Sequence, residues 1–205
     1  MNIVKTILTT FLLLLGLSYG YAQESNNEFE PLTKVDTITS KKVINAIPLK
    51  DVIKNSAFFF TQQYGNKKGL FLIEKKGAIW IVYDYDKYFI SNYDISKHTY
   101  YSKRYVSINV SAMRSGNGEN YYGWFVLFDL EQKTYLVIQT WSHNSDNDIN
   151  QEKYINTREC SSKVTFKNGS LKIVRECSPN EEENYCSNCI ETGTFKIENN
   201  KLIKQ

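Results

Sequence analysis

The sequence predicts a mainly β fold: an antiparallel sandwich or partly closed barrel built from consecutive hairpins, with one short N-terminal helix. Three observations carry that expectation. Tyr and Phe number 15 and 11 among 205 residues, against only 3 Pro, and aromatic side chains suit pleated, half-buried surfaces. Short apolar runs recur along the chain with turn residues between them. Finally, an Asn-Gly pair lies between two alternating segments whose cysteines meet when positions are counted outward from it.

Residues 1–22 have the form of a cleavable signal peptide. Lys5 supplies a basic start, an apolar run follows from Ile7 to Leu17, and Gly20-Tyr21-Ala22 supplies a small-residue exit. The run is shorter than the roughly 20 apolar residues a spanning helix needs, and no later stretch approaches that length, so no transmembrane segment is expected. The first cysteine is Cys160, which argues against a lipid anchor at the cleavage point. Export, to a periplasm or to the outside, follows as the expected location.

Residues 23–42 are polar and aperiodic, and read as a flexible leader. Residues 43–205 then form a single β-rich domain, large enough for one sizeable core. The formal charge is +3, and loss of Lys5 with the signal leaves +2, with acids and lysines interspersed. Such a surface gives no footing for nucleic acid or for electrostatic membrane docking.

After Pro48, Leu49, Val52, Ile53, Ala57 and Phe60 recur at helical spacing and predict the short helix. From Gly69 onward strands dominate. Leu70 to Lys75 and Ala78 to Tyr83 flank Lys76-Gly77, a tight turn. Trp124 to Leu130 and Tyr135 to Thr140 flank Glu131-Gln132-Lys133. Arg104 to Ala112 alternates polar and apolar as a half-exposed strand does, and Arg114 to Asn120 reads as a surface loop. Two central runs, Leu70-Phe71-Leu72-Ile73 and Phe125-Val126-Leu127-Phe128, are apolar on both faces, so both faces need cover, from a second sheet or from the helix. Gly193 to Glu198 and Lys201 to Lys204 flank Asn199-Asn200 as a closing hairpin.

Asn168-Gly169 suits a type I′ turn, in which both central residues take positive φ. With the pair at the centre of a two-residue loop, Phe166 faces Leu171, Val164 faces Ile173, and Cys160 faces Cys177. One face then gathers the apolar side chains and both cysteines, and a one-residue slip would scramble it. Parity from the turn makes Cys160 and Cys177 a non-hydrogen-bonded pair, where Cα atoms approach to about 4.5 Å, within disulfide reach. A Cys160–Cys177 bond on the core face is the expectation. For Cys186 and Cys189 the first reading is a local disulfide. Other pairings with Cys160 and Cys177 are alternatives, as is a redox or four-cysteine zinc site, which exported chains disfavour because their thiols oxidise.

No catalytic, cofactor or metal motif stands out. His98 and His143 are the two histidines, and no nucleophile-elbow, zinc-protease or phosphate-loop pattern accompanies them. The oxygen-rich stretch His143 to Asn150 has the alternation of a calcium loop, but with Asp146 first, Gln151 stands where Gly belongs and Thr157 where Glu belongs. It reads as a hydrated turn. Two tyrosine clusters, Tyr83, Tyr85, Tyr88 and Tyr93, and Tyr100, Tyr101 and Tyr105, are candidate platforms for sugars or peptides. Asn109 and Asn168 stand in glycosylation sequons. The leading functional expectation is an exported, non-enzymatic β domain that binds a protein or carbohydrate partner. The alternatives are an exported hydrolase assembled from distant residues around His143, Asp146 and Asp148, an inhibitor or immunity-type protein, and a structural envelope component.

Overall fold

A computed structural model of the chain describes residues 27–39, 43–44, 47–53, 56–64, 66–84, 92–93, 99–101, 104–115, 118–148, 153–178 and 189–205. The expected signal peptide, His98, Tyr85, Tyr88 and Cys186 lie outside the described residues. The fold is mainly β, with two antiparallel sheets. In chain order the first strands are β1 (Glu30–Pro31), β2 (Thr33–Ile38), β3 (Val43–Ile44), β4 (Ile47–Ile53) and β5 (Ser56–Tyr64). Next come β6 (Lys67–Lys76), β7 (Ile79–Asp84), β8 (Asn92–Tyr93), β9 (Thr99–Tyr100), β10 (Tyr105–Ser115) and β11 (Gly118–Asp129). The last are β12 (Thr134–Asp148), β13 (Lys153–Lys167), β14 (Ser170–Cys177), β15 (Gly193–Glu198) and β16 (Lys201–Lys204).

The larger sheet runs β16-β15-β14-β13-β12-β11-β10-β8, with β1 on β12 and β9 on β10. The smaller runs β2-β7-β6-β5-β3, with β4 on β5. Sequential neighbours pair almost throughout, which is the hairpin-by-hairpin order expected of antiparallel sheets. Turn chemistry sets the hairpins. Asn168 and Gly169 have φ of 51° and 76°, and Asn199 and Asn200 have φ of 50° and 62°, the both-positive pattern of type I′ turns. The β6–β7 turn is Gly77-Ala78 rather than Lys76-Gly77, because Lys76 pairs with Ile79 and Gly77 supplies the positive φ.

The middle hairpin, β11–β12, feeds two cores. Trp124, Val126, Phe128 and Tyr135 pack with Phe58, Phe60, Leu70, Leu72 and Tyr83 of the smaller sheet. On their other side, Phe125, Leu127, Leu136 and Ile138 pack with Phe166, Leu171, Ile173, Phe195 and Leu202 from β13 to β16. The doubly apolar Phe125–Phe128 run is thus covered by sheet on both faces. Side chains such as Phe60, Leu72, Phe128 and Ile138, all at 0% exposure, each contribute about 1.5–3 kcal/mol by leaving water.

Two expectations need correction, and the described residues contain no helix. The helix expected near Leu49–Phe60 has no counterpart among the described residues. Leu49, Val52 and Ile53 lie on β4, and Ala57 and Phe60 on β5. Pairing of Phe58, Phe59 and Phe60 with Glu74, Ile73 and Leu72 of β6 satisfies a run of three aromatics better than one helix face could. The polar leader does not extend to residue 42. Its residues 27–39 join both sheets, with β1 on β12, β2 on β7, and Phe29 and Leu32 buried. Backbone bonds from Phe29 N to Asn200 O, Leu202 N to Asn27 O and Leu32 N to Lys133 O hold the segment down. Finally, the loop expected over Arg114–Asn120 is largely strand, since β10 runs to Ser115 and β11 starts at Gly118.

Sheet edges are blunted. The β16 edge carries Lys201 and Lys204, and β2 has a register irregularity between Lys34 and Asp36, both features that discourage a further strand from adding.

Candidate functional site

Thr134 to Gln139 on β12 pair regularly with Asp129 to Trp124 on β11, and then the register shifts by one residue at Thr140. Beyond this bulge Gly123 faces Trp141 and Tyr121 faces His143. Without it, Tyr121 would face Ser142 and the rings would fall on opposite sides, because side chains alternate along a strand. The bulge therefore collects Tyr121, Trp141 and His143 on one face.

Their ring centroids are 5.8 Å apart for Tyr121–Trp141, 5.9 Å for Tyr121–His143 and 6.2 Å for Trp141–His143. The three separations are nearly equal, so the rings form a triangular cluster, with Trp141 tilted 31° from Tyr121 and 33° from His143, and Tyr121 and His143 edge-on at 61°. Gly123 makes room for it: a Cβ there would stand 3.3 Å from the Trp141 Cβ. All three rings are half-buried, while Ser142 between the latter two points to the buried side.

From β13, Glu159 faces His143 and Ser161 faces Trp141. The Trp141 indole N–H donates to Glu159 Oε1 at 3.1 Å, and His143 Nδ1 is 3.9 Å from Glu159 Oε2. Glu159 is 54% exposed, so its carboxylate is solvated and within reach of a ligand lying on the rings. The arrangement offers apolar π faces, a hydrogen-bond acceptor and an imidazole on a rigid sheet.

The sequence-predicted candidates divide differently. Tyr83 is buried and donates to Glu74 Oε2 at 3.0 Å. Tyr101 and Tyr105 pack edge-on against Phe166, and Tyr101 Oη is 3.0 Å from Ser107 Oγ. These members of the tyrosine clusters thus serve the core; Tyr93 lies on β8 and Tyr100 on β9. Asp146 and Asp148 lie on β12, opposite Ile155 and Lys153 of β13, so the stretch read as a hydrated turn is strand as far as Asp148; their side chains lie outside the described residues. Asn109 is exposed on β10. Among the described residues, no group of three or more His, Cys, Asp or Glu is placed to hold a metal ion, and no helix is long and apolar enough to cross a membrane.

Cys160 and Cys177 are bonded, at a Cα–Cα distance of 4.1 Å and in the register counted from Asn168-Gly169. Cys160 is buried at 2%, as expected of the core face, whereas Cys177 is exposed. Cys189 is also disulfide-bonded, and its Sγ lies 3.9 Å from the Gln139 carbonyl oxygen.

The ring cluster escaped the sequence reading because Trp141 and His143 are far from Tyr121 and Glu159 along the chain. The alternation Trp141-Ser142-His143 was the available signal, but its meaning depends on a bulge that no local residue announces. No family model, curated protein or solved structure matches this chain.

Proposed function

We propose that this protein is an exported, non-enzymatic β domain that binds a carbohydrate partner through the Tyr121–Trp141–His143 face. The observation that carries the reading is the half-buried cluster of three rings on one sheet face with the exposed Glu159 carboxylate at its side. The π faces are electron-rich, and the C–H bonds on one face of a sugar ring carry slight positive charge, so the two stack. Glu159 then accepts from sugar hydroxyls, which supplies orientation. The rings sit on paired strands rather than on a loop, so little ordering entropy opposes binding. The same face could serve a protein partner, and the test separates the two.

Screening the mature protein on a glycan array and by pull-down is the experiment. Trp80 and Trp124 are 7% and 8% exposed and Trp141 is half-buried, so a ligand on this face changes tryptophan emission mainly through Trp141. Saccharide binding should perturb that emission, and Trp141→Ala should weaken binding about tenfold or more. Capture of a protein with Trp141→Ala-sensitive affinity and no glycan would move the reading to a protein partner. Binding untouched by Trp141→Ala would overturn the site.

A further inference from the structure

The disulfide Cys160–Cys177 is asymmetric in its surroundings. Cys177, at the end of β14, is exposed, while Cys160 is 2% exposed. The Arg175 guanidinium brings Nη2 to 3.6 Å from Cys160 Sγ. Register places Ser142 opposite Cys160, and Ser162 opposite Arg175 one pair further along the same face. Ser142 and Ser162 are 1% and 8% exposed, and Ser142 Oγ, Ser162 Oγ and Arg175 Nε are buried atoms with no hydrogen-bond partner among the described residues. Buried polar groups are ordinarily satisfied, and three unsatisfied ones on the strand face that carries Cys160, each able to donate a hydrogen, need a reason. A negative charge on Cys160 would supply it.

We propose that Cys160–Cys177 is a thiol–disulfide exchange site, attacked at Cys177 with Cys160 as the leaving thiolate. An external dithiol is the reaction partner. Its thiolate attacks Cys177 Sγ along the open side, a bond forms between those two sulfurs, and the Cys160–Cys177 bond breaks. The electron pair passes to Cys160 Sγ, which leaves as a thiolate facing Arg175 and the two serine hydroxyls. Exchange is faster when the leaving thiol has a lower pKa, and a neighbouring guanidinium lowers a thiol pKa. The second thiol of the donor, as its thiolate, then attacks its own sulfur in the mixed disulfide and releases Cys177 as a thiolate, which takes up a proton from water. The dithiol is thereby oxidised to a disulfide and the protein pair reduced, two electrons passing in all. The site is separate from the ring face and does not depend on it.

Position of attack is the decisive measurement. The oxidised protein is treated briefly with glutathione, quenched with a thiol-alkylating agent and mapped by mass spectrometry. Glutathione should sit on Cys177 and the alkyl group on Cys160, in at least about tenfold excess over the reverse. Even labelling, labelling on Cys160, or no exchange below the unfolding transition overturns the proposal. In Cys177→Ser, the pH dependence of alkylation should place the Cys160 thiol below the ordinary value of about 8.5. Adding Arg175→Met should raise it and Arg175→Lys should largely restore it; no change with Arg175→Met removes the role assigned to Arg175. Where Arg175→Met does not fold, the glutathione position on the native chain still decides.

Discussion

Glu74 Oε2 lies 3.3 Å from Lys133 Nζ, which ties β6 of the smaller sheet to the turn between β11 and β12 of the larger. Glu74 is 3% exposed and also accepts from Ser56 Oγ at 2.7 Å and Tyr83 Oη at 3.0 Å. All three neighbours donate to one carboxylate. Glu74→Gln leaves a single acceptor oxygen among them and adds an amide with donors of its own. Chemical denaturation should show a loss of about 1–3 kcal/mol, and Lys133→Asn, which removes the charge while tolerating the φ of 56° at that position, should cost less because Lys133 is 37% exposed.

The same carboxylate sets a pH dependence. Burial alone would raise its pKa, but the hydrogen bonds from Ser56 and Tyr83 and the Lys133 charge outweigh burial and hold it below the ordinary 4.5. A folded-state pKa below the unfolded one contributes stability that is full above the unfolded value and is lost as pH falls through the folded one. Urea unfolding should therefore show the stability gap between the native chain and Glu74→Gln unchanged near neutrality and shrinking below about pH 4.5. A gap that is constant down to pH 3 would contradict the assignment.

Asp129 closes the β11–β12 turn. It is 1% exposed, accepts from Arg104 Nε at 2.7 Å and Nη2 at 2.5 Å, and takes the Glu131 and Gln132 amides on Oδ1 at 3.0 Å. The Asp129 bond, with its charge, raises the Arg104 pKa against the opposing effect of burial. Asp129→Ala leaves both amides and the guanidinium without this acceptor and should cost about 1–3 kcal/mol. Asp129→Asn keeps an oxygen for the amides and should cost less. Thermal or urea unfolding would establish the order; equal losses would mean that the charge alone matters.

Non-reducing peptide mapping of secreted protein should recover a Cys160–Cys177 peptide. The local disulfide expected from the sequence for Cys186 and Cys189 predicts a Cys186–Cys189 peptide beside it. Replacing Cys160 and Cys177 by Ser together should cost about 3 kcal/mol for a loop of this size, read as a lowered denaturation midpoint with the β-sheet spectrum retained. Other cysteine pairings in the map would refute the connectivity.

The parts of the fold that were legible in the sequence are those decided within one hairpin. Asn168-Gly169 supplied the turn, the alternation of Phe166, Leu171, Val164 and Ile173 supplied the face, and the cysteines fell opposite each other as counted. Asn199-Asn200 did the same for β15–β16. At β4–β5, Leu49, Val52, Ile53, Ala57 and Phe60 fit a helical period in sequence, and β6 lying alongside Phe58–Phe60 favours extended backbone there. Residues 27–39 looked like a leader because their polar side chains hide Phe29 and Leu32, which find cover in strands far along the chain.

By itself, then, the sequence determined the β class, the hairpin order and the Cys160–Cys177 register, since turn dihedrals and side-chain alternation act between near neighbours. Tertiary structure alone decided that the middle hairpin has the smaller sheet on one side and β13 to β16 of its own sheet on the other, that a bulge at Thr140 turns Trp141 and His143 toward Tyr121, and that Glu74 meets Lys133. Those outcomes depend on contacts between residues distant in the chain, where packing of whole surfaces outweighs any local preference.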